Sequence, residues 1–161
     1  MEIERKWLVE GLPPLGAPDQ IFQMDQGYLS VRPTVRIRRE ALEGGATRLV
    51  LCIKGAGGLS RREVEMELTP VQFGELEEMV GKPLIPKTQW RYPLPGDLTL
   101  EVNQVDKGRP TAFWYAEVEF PTEEAALSWD PAAAGLGEYL SHEVTGQKGQ
   151  SMGEYWETTR C

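Results

Sequence analysis

The feature that most limits what this chain can fold into is charge that alternates with period two. In Glu2-Ile3-Glu4-Arg5-Lys6, the residues Glu2, Glu4 and Lys6 fall on one face of an extended segment. The pattern returns in Arg36-Ile37-Arg38, Glu63-Val64-Glu65-Met66-Glu67, Glu101-Val102-Asn103 and Glu117-Val118-Glu119, with apolar residues on the opposite face. An antiparallel sheet with one face in water also alternates. Its outward positions usually mix Thr, Ser, Lys and Gln, however, whereas whole strands here contribute only acids or only bases. If such a sheet closes with its charged face inward, it makes a polar tunnel whose cations suit a polyanion and whose carboxylates suit divalent metals.

At 161 residues and 40% hydrophobic content, the chain is long enough for one domain over residues 1–161 with its own core. A net charge of −8 with 17 basic residues argues against a non-specific nucleic-acid or membrane-surface binder, since both draw on excess positive charge. Cys52 and Cys161 form no disulfide framework and no Cys-x-x-Cys motif, and neither a leader nor an apolar run near 18 residues is seen, so a cytoplasmic protein is expected. His142 is the only histidine. That removes most zinc hydrolase patterns and Ser-His-Asp or Cys-His machinery, and any metal would be held by oxygen, which favours Mg²⁺ or Mn²⁺.

Turn residues divide the chain. Gly11 to Pro18 reads as a proline-rich loop, and strands are expected over Met24 to Val31, Thr34 to Ala41, Arg48 to Lys54 and Ser60 to Leu68. The last two form the clearest hairpin, and Gly55-Ala56-Gly57-Gly58 between them lacks the Gly-Lys-Ser/Thr ending of a phosphate loop. Thr69-Pro70, apolar residues at helical spacing and Gly81 predict the principal helix. Further strands follow over Leu84 to Leu94, Leu98 to Val105 and Ala112 to Phe120, then a short helix near Thr122 to Leu127. This is an α+β pattern: seven or eight antiparallel strands closing into a charged barrel with a few covering helices. An open sandwich is the alternative.

The carboxylate set comprises Glu2, Glu4, Glu63, Glu65, Glu101, Glu117 and Glu119; converging carboxylates stay ionised only when a divalent cation or nearby bases compensate them. The cation set is Lys6, Arg36, Arg38, Lys54, Arg61, Lys87 and Arg91, and a run of phosphates is its natural ligand. Salt bridging between neighbouring strands would produce the same alternation. The five tryptophans read as wall residues, not as base-stacking platforms.

These residues resemble a known family. Glu2-Ile3-Glu4-Arg5-Lys6 is similar to the E-x-E-x-K signature of the CYTH superfamily, the triphosphate tunnel metalloenzymes. The likeness continues in order through Gln26-Gly27-Tyr28-Leu29, Val35-Arg36-Ile37-Arg38, Ile53-Lys54, Gly57 to Arg61, Glu63-Val64-Glu65, Lys87-Thr88, Ala116 to Phe120 and His142 to Thr145. The resemblance implies an eight-stranded antiparallel tunnel that binds Mg²⁺ or Mn²⁺ and a triphosphate. By motif match, Glu2, Glu4, Glu117 and Glu119 are the leading metal ligands, with Glu63, Glu65 and Glu101 assisting. Lys6, Arg36, Arg38, Lys54, Arg61 and Lys87 grip the phosphates, and Lys87 is the candidate for activating the attacking water.

Three positions depart from the family pattern. Asn103 stands where the E-x-D strand carries an acid, and is the amide remnant of a metal ligand on that reading. Gln89 replaces the arginine of K-T-R, with Arg91, two positions on, as its stand-in. Gly149-Gln150-Ser151-Met152 replaces an arginine-bearing R-Y-x-N segment. The expected activity is metal-dependent hydrolysis of a triphosphate, most simply inorganic triphosphate. The alternatives are a degenerate tunnel that binds polyphosphate or a nucleotide without turnover, and an adenylyl cyclase. A small-molecule ligand and a homodimer are expected, with no nucleic acid or membrane partner.

Overall fold

A computed structural model describes residues 1–161. The strands are β1 (Glu2–Val9), β2 (Gln20–Val31), β3 (Thr34–Leu42), β4 (Thr47–Lys54), β5 (Ser60–Arg61), β6 (Glu63–Glu67), β7 (Ile85–Leu94), β8 (Leu98–Val105), β9 (Phe113–Glu119) and β10 (His142–Glu143). Helix α1 (Pro70–Val80) follows β6, α2 (Glu123–Ser128) follows β9, and α3 (Met152–Arg160) ends the chain. Every pairing is antiparallel, in the order β10-β1-β9-β8-β7-β2-β3-β4-β6. Strand β5, separated from β6 by Arg62 alone, pairs with β1 through Glu2↔Arg61 and Ile3↔Ser60. The sheet therefore returns on itself. With β5 and β6 taken as one bent stave and the two-residue β10 set aside, the barrel has eight staves, the expected number, and no open sandwich forms.

Closure gives the alternation its meaning, because adjoining residues on every strand face opposite sides of the wall. Outward-facing Trp7, Leu100, Val102, Ala116 and Val118 join Phe120, and over them lie Ala126, Leu136 and Leu140 from α2 and the segment that follows. Arg5 is the polar exception on this outer face. Its guanidinium donates to both Glu143 oxygens at 2.8 Å and to the carbonyls of Ala126 and Trp129 at 3.0 and 2.7 Å, pinning the covering segment to the wall.

Helix α1 starts as the sequence predicts. Thr69 accepts from the Gln72 backbone, Gln72 reciprocates, Pro70 opens the first turn and Gly81 ends the helix at φ 65°. Its one buried residue, Phe73, packs beneath the Arg39 guanidinium, 4.8 Å from the ring centre. Helix α3 was not expected from the sequence. It covers one end of the barrel, where Met152 and Trp156 pack with Tyr28, Ile85, Val105 and Tyr115. Beside it, a Cβ on Gly146 would lie 3.2 Å from the Gly58 Cα, so the β4–β5 turn and the loop after β10 meet backbone to backbone. No helix is long and apolar enough to cross a membrane.

Candidate active site

One cavity of about 1160 Å³ runs through the barrel, and the alternating charges line it. Glu2, Glu4 and Lys6 come from β1, Arg36 and Arg38 from β3, Lys54 from β4, Arg61 from β5, Glu63 and Glu65 from β6. Strand β7 supplies Lys87, Gln89 and Arg91, β8 supplies Glu101, and β9 supplies Glu117 and Glu119. Every carboxylate and cation named from the sequence thus reaches one space. Asn103 does not. It is fully buried opposite Gln89 and Tyr115, its Oδ1 accepts from Gln89 Nε2 at 2.9 Å, and it stands apart from the cavity lining.

Charge inside the cavity is sorted. The carboxylates meet where β1, β9 and β6 adjoin, with Glu4 opposite Glu119 and Glu117 opposite both Lys6 and Glu101. Glu4 shares a hydrogen bond with Glu117, and Glu2 with Glu63. Burial, then the nearby Glu117, push Glu4 well above the carboxylate range. Burial would also raise Glu117, but Lys6, the bond from Glu4, and Lys87 hold it down. Glu119 is raised by burial and by Glu2, and Glu101 by burial despite Arg91. Carboxyl groups driven into contact in this way fit a hard divalent cation that would replace the shared protons. At the same junction, ligand atoms of Cys52, Glu63 and Glu65 lie within 4.8 Å of one another, a second grouping able to hold a metal ion.

Several cations are already paired. Lys54 Nζ donates to Glu2 at 2.8 and 3.0 Å, Arg91 lies 3.3 Å from Glu101, and Arg61 lies 3.9 Å from Glu2. Arg38 Nε donates to Glu40 at 2.7 Å. Lys6, Arg36 and Lys87 have no carboxylate partner. Lys6 donates to the Gln150 carbonyl, Lys87 donates to the Tyr115 hydroxyl at 2.8 Å, and Arg36 Nε is buried with no partner. Lys6 and Lys87 stand 4.4 and 5.4 Å from the centre of the Tyr115 ring. Burial, then Arg38, pull Lys87 well below the ordinary lysine range.

The departures have structural counterparts. Gln89 accepts from Arg91 Nε at 2.8 Å, so it holds in place the arginine that stands in for it. Lys148, Gln150, Ser151 and Met152 line the cavity where the family arginine segment is expected. No tryptophan lines it; Trp90 and Trp114 stack on each other, ring centres 5.4 Å apart. His142 is exposed on β10. The sequence reading missed Glu40, Arg48, Tyr28 and Tyr115. Glu40 and Tyr115 stand two residues from the recognised Arg38 and Glu117, and Arg48 six from Lys54 on β4, so the same alternation would have found them; Tyr28 lies on β2, where no inward position was named.

A barrel that holds carboxyl groups in mutual contact beside three cations without carboxylate partners, Arg36 and Lys87 buried and Lys6 half-buried, belongs to the class built to take a polyanion together with a divalent cation. No family model matches the chain. An inorganic triphosphatase of Nitrosomonas europaea is 32% identical over 147 residues, 91% of each chain. The crystal structure of the inorganic triphosphatase NE1496 is 25% identical over 96% of this chain and 93% of its own, with a TM-score of 0.62. At 16% identity, a Hippeastrum protein described as a putative adenylyl cyclase with a dominant triphosphatase activity shares the fold, with a TM-score of 0.60 over 100% of this chain and 97% of its own. The chain belongs to the CYTH superfamily, the triphosphate tunnel metalloenzymes.

Proposed function

We propose that the protein hydrolyses inorganic triphosphate to pyrophosphate and phosphate with Mg²⁺ or Mn²⁺, residues 1–161 acting as one tunnel domain. The observation that carries the reading is the meeting of charge in one space: Lys6, Arg36 and Lys87, none with a carboxylate ion-pair partner, line the same cavity as a cluster of carboxyl groups. Glu2, Glu4, Glu117 and Glu119 would hold the metal, with Glu63, Glu65 and Glu101 nearby. The metal supplies charge neutralisation on the phosphate oxygens. Lys6, Arg36 and Arg38 bind and orient the chain, with Lys54, Arg61 and Arg91 around them. Lys87, buried among cations, takes the proton of the water that attacks a terminal phosphorus, while the bond from that phosphorus to the bridging oxygen breaks.

The lining favours an inorganic chain over a nucleotide. Tyr28 and Tyr115 are buried, and Phe22 is capped by the Arg91 guanidinium 4.3 Å from its ring centre, which leaves no open aromatic platform for a base. The test is a phosphate-release panel of triphosphate, thiamine triphosphate, ATP and pyrophosphate with each metal, beside a cyclic AMP assay. Turnover of triphosphate alone is expected. Binding without release on any substrate overturns the hydrolase in favour of a binding protein, and cyclic AMP from ATP overturns it in favour of a cyclase.

A further inference from the structure

The stretch His142-Glu143-Val144-Thr145 carries part of the family likeness but supplies no metal ligand and no phosphate cation. It begins as β10, a strand of two residues, and it controls three contacts of Lys6. The Lys6 N–H donates to Thr145 Oγ1 at 2.9 Å, the Lys6 carbonyl accepts from Val144 N at 2.8 Å, and the Lys6 ammonium donates to the Gln150 carbonyl. Two short turns, Gln147 N to Val144 O at 3.0 Å and Gln150 N to Gln147 O at 3.3 Å, bring the chain from Thr145 round to that ammonium. A two-residue ladder is shorter than an ordinary strand, so side chains supply the hold. Thr145 Oγ1 donates to Glu143 Oε2 at 2.7 Å, and Glu143 accepts a fork from Arg5, Nε on Oε2 and Nη2 on Oε1, both at 2.8 Å. The Thr145 hydroxyl lines the cavity but is spent: its proton goes to Glu143 and its oxygen to Lys6. The bonds from Arg5 hold Glu143 below the usual carboxylate range, which keeps it an ionised acceptor for both partners. Arg5 and Lys6 are neighbours in the chain and face opposite sides of the wall. The clamp is therefore fastened outside the barrel, and the residue it steadies is inside.

We infer that Arg5, Glu143 and Thr145 are positioning residues, which hold the 144–150 segment against β1 so that the Lys6 ammonium is fixed before a polyphosphate arrives. They act through Lys6 and not on the phosphates themselves. An anion that captures a free lysine must pin its rotamers, whereas a lysine already tethered has lost that freedom beforehand. The tether does not exhaust the ammonium, because it has three N–H groups and Gln150 takes one. The inference rests on the triphosphate reading for the ligand's identity, but it concerns binding and not turnover.

The experiment is titration calorimetry of triphosphate into metal-free protein, comparing the native chain with Thr145→Val, Thr145→Ser, Glu143→Gln and Lys6→Met, and with Thr145→Val and Glu143→Gln each combined with Lys6→Met. Lys6→Met should weaken binding roughly tenfold, the usual effect of losing one hydrogen bond to a charged group. Thr145→Val and Glu143→Gln should each weaken it roughly threefold or more, within the range of coupling between contacting residues, and should add nothing once Lys6 is methionine. Thr145→Ser keeps the hydroxyl and should bind as the native chain does. In the ligand-free protein, the Lys6 and Val144 amides should exchange hydrogen faster in Thr145→Val and Glu143→Gln, while those of the β2–β3 ladder keep the native rate. Unchanged affinity in both Thr145→Val and Glu143→Gln overturns the inference. So does a loss that is the same with lysine or methionine at position 6, which would mean a general effect on the barrel, or a Lys6→Met protein that binds as tightly as native. Should Thr145→Val fail to fold, Glu143→Gln carries the same comparison. Native protein that binds triphosphate without releasing phosphate leaves the clamp standing and removes only the hydrolase reading; native protein that does not bind it removes both.

Discussion

Asp106→Asn should cost this fold about 3 kcal/mol, the lower end of the usual loss when one partner of a buried ion pair is removed. The Asp106 carboxylate is fully buried and accepts from Arg160 Nη1 at 2.6 Å and Nη2 at 2.8 Å, with the Tyr155 hydroxyl as a third donor. The Arg160 side chain is 2% exposed, so water cannot take over the lost contact. An asparagine keeps one acceptor but leaves a guanidinium charge uncompensated. Urea unfolding followed by tryptophan fluorescence measures the loss. At an m of about 2 kcal/mol per M, the midpoint should fall by roughly 1.5 M with m unchanged. The pH dependence gives a second check. Burial would raise Asp106, but the bonds from Arg160 and Tyr155 outweigh it and hold the group below its usual 3.8. Its contribution is therefore full above pH 3.8 and is lost as pH falls through the lower folded value, so native and variant stabilities should converge only in strong acid. A loss under about 1 kcal/mol at neutral pH would show that the pair is worth no more than a surface salt bridge, and the reasoning would fail.

Three other changes probe the cavity. Glu4→Gln should abolish metal-dependent turnover. Because the folded Glu4 value is raised, metal-free native protein should lose stability as pH climbs above 4.5, and melts in EDTA should show a shallower slope in the variant, where the raised Glu101 and Glu119 remain. Arg38→Ala should weaken triphosphate binding by roughly 1.5–3 kcal/mol in calorimetry, the worth of a charge-assisted contact; unchanged affinity would mean that the Arg38–Glu40 pair is purely structural. Asn103→Asp should leave the half-saturating Mg²⁺ concentration unchanged, since position 103 faces Gln89, away from the carboxylate junction; a lower value in a Mg²⁺ titration would restore Asn103 to the ligand set.

The barrel and its inward charges were legible because one physical rule, side-chain alternation, writes both into the strands. Turn chemistry was equally plain: Pro70 and Gly81 bracket α1, and Gly55 to Gly58 join β4 to β5. Helix α3 was not, since Met152-Gly153-Glu154-Tyr155-Trp156 has no sustained apolar stripe and is held instead by the distant Asp106 and by the barrel end. Alternation also says which face a side chain takes but not how far along the barrel it sits. That is why Asn103, correctly read as inward, lies beside Gln89 and Tyr115 and not among the carboxyl groups. Pairing was less legible: alternation puts Arg36, Arg38 and Glu40 on one face of β3 but does not say that Glu40 meets Arg38 while Arg36 Nε is left alone.

The short β1–β5 ladder makes this barrel a cask with one loose joint. Elsewhere the staves share runs of five or more residue pairs, but here only Glu2↔Arg61 and Ile3↔Ser60 close the circle. The joint is flanked by Glu2 and Glu4 on one lip and Arg61 and Glu63 on the other, and Lys54 reaches both. A cargo that touches the two lips at once acts as a hoop. Amides on either side of the joint should then be the first to exchange hydrogen in the empty protein and the most slowed when it is filled, so that emptying the cask is also what loosens it.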